Sequence, residues 1–294
     1  MMNSSLPKIP NIKVLSLILG VAENDLNEVL KDIDKYYYRD EKPKLDEKGF
    51  PVFDKNGKAK VRVLFPSTGL LKKIQGRVRI RILTTMRLPK NIKGGVKGED
   101  NIKNARYHVG NKYKFATDLK DFFPSISESV VFKMFRWLGY YPKVADALTK
   151  LVTYQGAVPQ GAPTSTDIAN LVFLPIDYEI ITFCQERKIK YSRFVDDLSF
   201  SAAFDFKEES FFLVRMISPH FRISRKKTFF TSGKAKFTGL WVGVSSLNVD
   251  DAFYQKMIDD SIQQKEQITP RRRYYKRVRN AMKNANKALK NTPH

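Results

Sequence analysis

Ten residues constrain this chain more than any others: Tyr191-Ser-Arg-Phe-Val-Asp196-Asp197-Leu-Ser-Phe200. Aromatic and branched side chains flank the acidic pair on both sides, a pattern that predicts two short strands joined by a turn. Burial of Phe194, Val195, Leu198 and Phe200 against a core would hold the acidic tip in place. Carboxylates fixed side by side repel, and a cation between them removes the cost. A divalent-metal site is one reading. The other is a plain hairpin, in which Asp-Asp serves because short polar residues suit turns.

Composition narrows the partner. Fifty-three Lys and Arg stand against thirty Asp and Glu, a formal charge of +23 over 294 residues. That imbalance favours a polyanion, nucleic acid first. The 42% hydrophobic content allows one large domain or two to three subdomains. An anionic membrane is the rival surface, but the longest apolar candidate, Val14 to Ala22, is broken by Ser16 and Gly20 and falls short of the roughly 18 residues a span needs. No membrane partner is expected, and the stretch reads as a helix of the fold rather than a secretion leader. The single Cys184 excludes an internal disulfide, and His108, His220 and His294 are too scattered for a zinc site. A cytoplasmic location fits.

Along the chain, residues 12 to 38 predict two helices, with Asn24 the candidate cap of the second. A polar hairpin region follows, with turns at Asp46 to Gly49 and Asp54 to Gly57, leading into the half-exposed strand Lys60 to Phe65. Leu71, Ile74, Val78 and Ile82 recur at helical spacing among Lys72, Lys73, Arg77, Arg79 and Arg81. The loop Gly94-Gly-Val-Lys-Gly98 reads as a flexible connection or a phosphate cradle. Lys114 to Ile126 reads as a buried strand ending in an acidic, aromatic turn, with a helix from about Ser127. Val158 to Ser165 is a loop punctuated by Pro and Gly, and Thr166 to Arg187 is a long helix. Beyond Asn248 the pattern is helical. From Arg271 to Lys290 there are nine Lys or Arg and no acid. Arg272, Lys276, Arg279, Lys283, Lys287 and Lys290 form one basic face beside an apolar stripe of Tyr275, Val278, Met282, Ala285 and Leu289, so this helix can dock on protein and offer cations to a phosphate backbone.

Nucleotidyl transfer by a two-metal mechanism needs carboxylates from distant segments brought together, one at the end of a buried strand and one on a neighbouring hairpin. Asp118 and Asp196 have that placement, and hard oxygen ligands favour Mg2+. Each acid taken alone is equally readable as a turn or cap residue.

These residues resemble bacterial reverse transcriptases, most closely the retron-type branch, over roughly Lys60 to Val249. Phe115-Ala-Thr-Asp118-Leu-Lys-Asp-Phe-Phe123 resembles the first palm motif, Pro159-Gln160-Gly161-Ala-Pro-Thr-Ser165 the nucleotide-side loop, and Phe194-Val-Asp196-Asp197 the metal hairpin. Lys226-Lys227-Thr228 and Phe237-Thr-Gly239-Leu resemble the next two motifs, and Asn104-Ala-Arg-Tyr-His108 resembles the Asn-Ala-x-x-His element of retron enzymes. Phe194 and Val195 stand where the family's hairpin usually has Tyr and Ala.

The resemblance implies an α+β right-hand polymerase. Its fingers would span 1–110, a palm on a small antiparallel sheet 111–244 with a finger-side insertion near 125–160, and a helical thumb 245–294. Asp118 and Asp196 would hold two Mg2+ ions, supported by Asp197 and the backbone carbonyl of Leu119. Lys227 would serve the leaving pyrophosphate, Phe123 would exclude a ribose 2′ hydroxyl, and Gln160, Gly161 and Arg62, with Lys60, would contact the incoming deoxynucleoside triphosphate. Asn104, His108 and the Arg272, Lys276, Arg279 and Lys283 face would bind RNA. The implied activity is RNA-directed DNA synthesis on a structured noncoding RNA that is template and primer, with a DNA product, an effector protein and a role in antiphage defence. The alternatives are a template-independent or protein-primed DNA polymerase and a catalytically silent RNA-binding scaffold.

Overall fold

A computed structural model describes residues 9–46, 50–263 and 269–290. In chain order the elements are α1 (Ile12–Leu19), α2 (Glu23–Lys31), β1 (Asp40–Pro43), β2 (Val61–Leu64), α3 (Gly69–Arg81), α4 (Asn101–Tyr107), β3 (Tyr113–Asp118), α5 (Phe122–Ser125), α6 (Glu128–Trp137), α7 (Pro142–Val152), α8 (Ser165–Glu186), β4 (Lys190–Phe194), β5 (Asp197–Ala202), α9 (Lys207–Ile217), β6 (Phe229–Ser232), β7 (Ala235–Phe237), β8 (Leu240–Val242), β9 (Leu247–Asn248), α10 (Asp251–Gln263) and α11 (Pro270–Lys290). The mixture of helices and small antiparallel sheets is the expected α+β class. Two compact units divide the chain, Met1–Leu88 with Asp121–Leu174 and Pro89–Lys120 with Pro175–His294. Residues 91–94 pair with β4 within the second unit. Among the described residues no helix is long and apolar enough to cross a membrane.

In the first unit, α1 begins at Asn11, whose side chain accepts from the Val14 amide, and ends at Gly20 in the left-handed region. The cap of α2 is Ala22, with Asn24 inside the first turn. The N-cap oxygen expected of Asn24 therefore goes unused, and Glu23 and Asp25 in the first turn serve the helix dipole instead. Leu71, Ile74 and Val78 of α3 are fully buried, as their spacing predicts. β1 pairs antiparallel with β2, and the Asp54 turn closes on its own carboxylate, which accepts from the Asn56 and Lys58 amides. The turn expected at Asp46 to Gly49 runs through 47–49, outside the described residues.

The second unit is organised on a four-stranded antiparallel sheet in the order β4-β5-β3-β6. Its two middle strands are β5 and β3, and β3 is mostly buried, as a central strand should be. β5 is buried beyond its first residue without the alternation of a half-exposed strand, since both of its faces are covered. A second sheet, β7-β8-β9, shares a core with α4 and α11 through Ile102, Phe237, Leu240, Val242 and Val278. The β7–β8 turn is Thr238-Gly239, both at positive φ, which is the demand of a tight two-residue hairpin. Tyr275 and Met282 pack on that core, so the apolar stripe of α11 docks as expected. Ala285, Lys287, Leu289 and Lys290 have side chains outside the described set.

Candidate active site

The acidic centre lies wholly within the second unit. β3 ends at Asp118, and the β3–β5 register sets Asp118 directly opposite Asp197. Asp196 belongs to the two-residue turn Val195-Asp196, while Asp197 is the first residue of β5, paired with Phe194. The Leu119 amide donates to the Asp196 carbonyl at 3.0 Å. Three acids from segments 78 positions apart are thus held by backbone pairing rather than by side-chain choice.

Their charges interact. Burial, then Asp196 and Asp118 nearby, push the Asp197 carboxyl up to about 7, against a smaller opposing pull from Lys227. Lys227 Nζ lies 2.6 Å from Asp118 Oδ1. Its partial desolvation is outweighed by the hydrogen bond to Asp118 and the charges of Asp118, Asp197 and Asp196, so its ammonium is stabilised. Among the described residues no three His, Cys, Asp or Glu groups stand around one point in metal-ligand geometry; Lys227 supplies the neutralising charge at Asp118 instead. The donor set still fits a hard divalent ion: three carboxylates, one held half-protonated near neutrality by its neighbours, gain most from a cation of higher charge.

The strand-like extension beyond Asp118 pairs with 222–224, through Lys120 N to Arg222 O and Ser224 N to Asp118 O, both at 2.8 Å. Adjoining it is an open groove of about 840 Å³ lined by Val214, Phe221 and Ile223 together with Lys120, Arg222, Arg225 and Lys226.

The remaining predicted contacts to nucleotide fall in the first unit, where the Gln160-Gly161 loop meets the end of β2. Arg62 is exposed on β2. The Phe65 amide, just past β2, donates to the Gln160 carbonyl at 2.7 Å. Gly161 has φ of +103°, a backbone conformation that favours glycine, and it lies against Pro66 and Leu64. Phe123 sits half-buried on α5, next to buried Phe122.

Two of the predicted RNA contacts lie in the interior. Asn104 and His108 are both fully buried. Ser192 Oγ donates to Asn104 Oδ1 at 2.7 Å, so the same hydroxyl oxygen must accept from His108 Nε2 at 2.8 Å, and His108 Nδ1 faces Ser201 Oγ at 2.8 Å. Burial, with Lys190 and Lys114 nearby, holds the imidazole well below its usual range and neutral. The Asn-Ala-x-x-His element is an internal lock between α4 and the β4–β5 pair, with no edge for RNA. By contrast Arg272, Lys276, Arg279 and Lys283 are all exposed, whereas Arg271 and Arg277 engage Asp260 and Asp100.

Sequence reading missed Asp177 and Arg193, both wholly buried and paired at 2.6 Å. It also missed the placement of residues 91–94. Residues 91–94 lie along the outer edge of β4: Arg193 N donates to Asn91 O at 2.9 Å, Lys93 N to Arg193 O at 2.8 Å, and Asn91 Nδ2 to Tyr191 O at 2.7 Å. The segment is a strap on the acidic hairpin, and Gly94, where the predicted loop begins, is its last residue. A charged residue flanked by Tyr191 and Phe194 in a strand leading to the acidic turn was the available signal for Arg193.

An acidic hairpin set against the acidic end of a central strand, on a four-stranded antiparallel sheet, defines the palm of a nucleotidyl-transferring polymerase. No protein-family model matches the chain. It is 28% identical over 260 residues to the retron Ec86 reverse transcriptase of Escherichia coli, covering 87% of this chain and 78% of that one. To the retron Se72 reverse transcriptase of Salmonella heidelberg (strain 579083-10) it is 30% identical over 260 residues, covering 84% and 66%. Among solved structures, apo telomerase from Candida tropicalis aligns with a TM-score of 0.46 at 11% identity, over 78% of this chain and 61% of that one. The chain belongs to the retron-type reverse transcriptases, which are RNA-directed DNA polymerases.

Proposed function

We propose that this protein copies a structured noncoding RNA into DNA in the cytoplasm, using that RNA as template and primer, and that it acts with an effector protein in antiphage defence. One observation carries the catalytic part: Asp118, Asp196 and Asp197 are tied to one end of the palm sheet by backbone pairing, where burial, then the charges of Asp196 and Asp118, raises Asp197 to about 7. Asp118 and Asp196, with Asp197 and the Leu119 carbonyl in support, would hold two Mg2+ ions. Such ions, when bound, lower the cost of the attacking 3′ oxygen and of the leaving group's charge.

The chain's own groups do the rest. Lys227 neutralises Asp118 in the free protein, and once that carboxylate is otherwise engaged its ammonium is free to give a proton to the departing pyrophosphate. Lys120, Arg222, Arg225 and Lys226 in the adjoining groove offer that anion a path away. In the first unit Arg62, on the strand braced by the Gln160-Gly161 loop, suits a triphosphate, and the Phe123 ring suits exclusion of a 2′ hydroxyl. The exposed cations of α11 suit a phosphate backbone, which they attract without reading sequence.

Primer extension on an RNA template tests the reading. Asp118→Asn and Asp196→Asn should each abolish Mg2+-dependent synthesis while leaving RNA binding in place; full activity in either would overturn it. Leaving out the RNA while supplying all four deoxynucleotides separates the template-independent alternative, and RNA retention without any synthesis by the intact chain would indicate a silent scaffold.

A further inference from the structure

Val195 is the first of the two residues that turn the chain from β4 into β5, and its φ is +61°. A β-branched side chain in the left-handed region crowds its own backbone, and strain of this kind costs on the order of 1–3 kcal/mol. Two-residue turns with positive φ at their first position ordinarily place glycine there. Something outside the turn must hold it.

Two contacts do. Arg193 Nη1 donates to the Val195 carbonyl at 2.9 Å. The guanidinium is itself immobilised, with Nε on Asp177 Oδ1 at 3.0 Å and Nη2 on Asp177 Oδ2 at 2.6 Å, while Tyr191 Oη also donates to Asp177 Oδ1 at 2.6 Å. From the other side, the strap delivers Gly94 so close to the turn that a Cβ there would fall 2.3 Å from Val195 N and 2.7 Å from Val195 Cγ2. Stability alone does not call for the ion pair, because well-packed apolar residues often replace a buried pair at no loss. What an apolar pair cannot do is hand a fixed donor to the Val195 carbonyl, one peptide before Asp196.

We propose that Asp177, Arg193 and Gly94 form a clamp that holds the strained Val195 turn and thereby aims the Asp196 carboxylate. All three are positioning residues. The inference rests on the polymerase reading of Asp196, and it adds a specific reason why this hairpin tolerates valine.

The test combines Arg193→Lys, Gly94→Ala and Val195→Gly. Lysine keeps the charge opposite Asp177 but lacks the fork that reaches carboxylate and carbonyl at once. Two quantities are read: Mn2+ binding to the substrate-free protein by calorimetry, and the Mg2+ concentration giving half-maximal primer extension. Arg193→Lys should weaken both about tenfold, the equivalent of about 1.4 kcal/mol, with a smaller change in KM for the deoxynucleotide. Adding Val195→Gly to Arg193→Lys should recover most of that loss, because glycine takes φ of +61° without crowding. Simple loss of packing would not be rescued by removing more side chain. If Arg193→Lys does not fold, Gly94→Ala carries the test with the ion pair intact, and it should show the same loss of metal affinity. Unchanged metal binding in a folded Arg193→Lys or Gly94→Ala protein, or no rescue by Val195→Gly, overturns the clamp. Asp196→Asn serves as control: if it too leaves synthesis intact, the polymerase reading fails; if only the clamp variants are silent, the clamp alone does.

Discussion

Replacing Asp197 by asparagine should remove a pH dependence from the metal-free protein. In the folded state its carboxyl is pushed up to about 7 by burial and by Asp196 and Asp118, from an ordinary value of 3.8. The folded state therefore keeps a proton that the unfolded chain releases. Stability from this group is fully present below about pH 4 and is lost as pH rises through about 7. A rise of about three units corresponds to at most about 4 kcal/mol. Asp197 is only partly buried at the turn and shares its titration with two neighbours, so about 2 kcal/mol is the expected effect after solvent screening. Denaturant unfolding in a chelator at pH 5 and pH 7.5 measures it. The wild-type protein should lose about 1 kcal/mol between those conditions relative to Asp197→Asn, since part of the effect falls below pH 5, and millimolar Mg2+ should restore most of the loss at pH 7.5 by binding the ionised site. Identical pH slopes for the two proteins would refute the reasoning, since they would mean that the three acids do not share one field.

Two further outcomes follow from the geometry. Changing Arg272, Lys276, Arg279 and Lys283 together to glutamine should weaken RNA binding and lower the slope of log K against log salt by about 3; a filter-binding series with an unchanged slope would mean that this face of α11 does not touch RNA. His108→Ala should destabilise the fold by about 2–4 kcal/mol, since it opens a cavity and leaves the Ser192 and Ser201 hydroxyls short of partners, while the folded protein keeps its RNA affinity within about twofold. Weaker RNA binding at full stability would return His108 to the RNA surface.

Local chemistry was legible in the sequence wherever the deciding partners are sequence neighbours. The aromatic residues around Asp196-Asp197 predicted the β4–β5 hairpin, helical spacing predicted α3 and the docked stripe of α11, and the buried run ending in Asp118 predicted a central strand. These are consequences of period and turn preference, which need no knowledge of the rest of the fold. Charge likewise announced a polyanionic partner. The tertiary structure alone decided what lies opposite what. Asn104 and His108 look like polar surface residues in the sequence, and they are interior because Ser192 and Ser201, about 90 positions later, complete their hydrogen bonds. The Gly94 loop looked free until β4 came to lie beside it. Asp177 reads as one acid on a long helix, and only the fold turns it toward Arg193, with both side chains wholly buried. Pairing across such distances is selected by the packing of the whole sheet, so no window of sequence contains it.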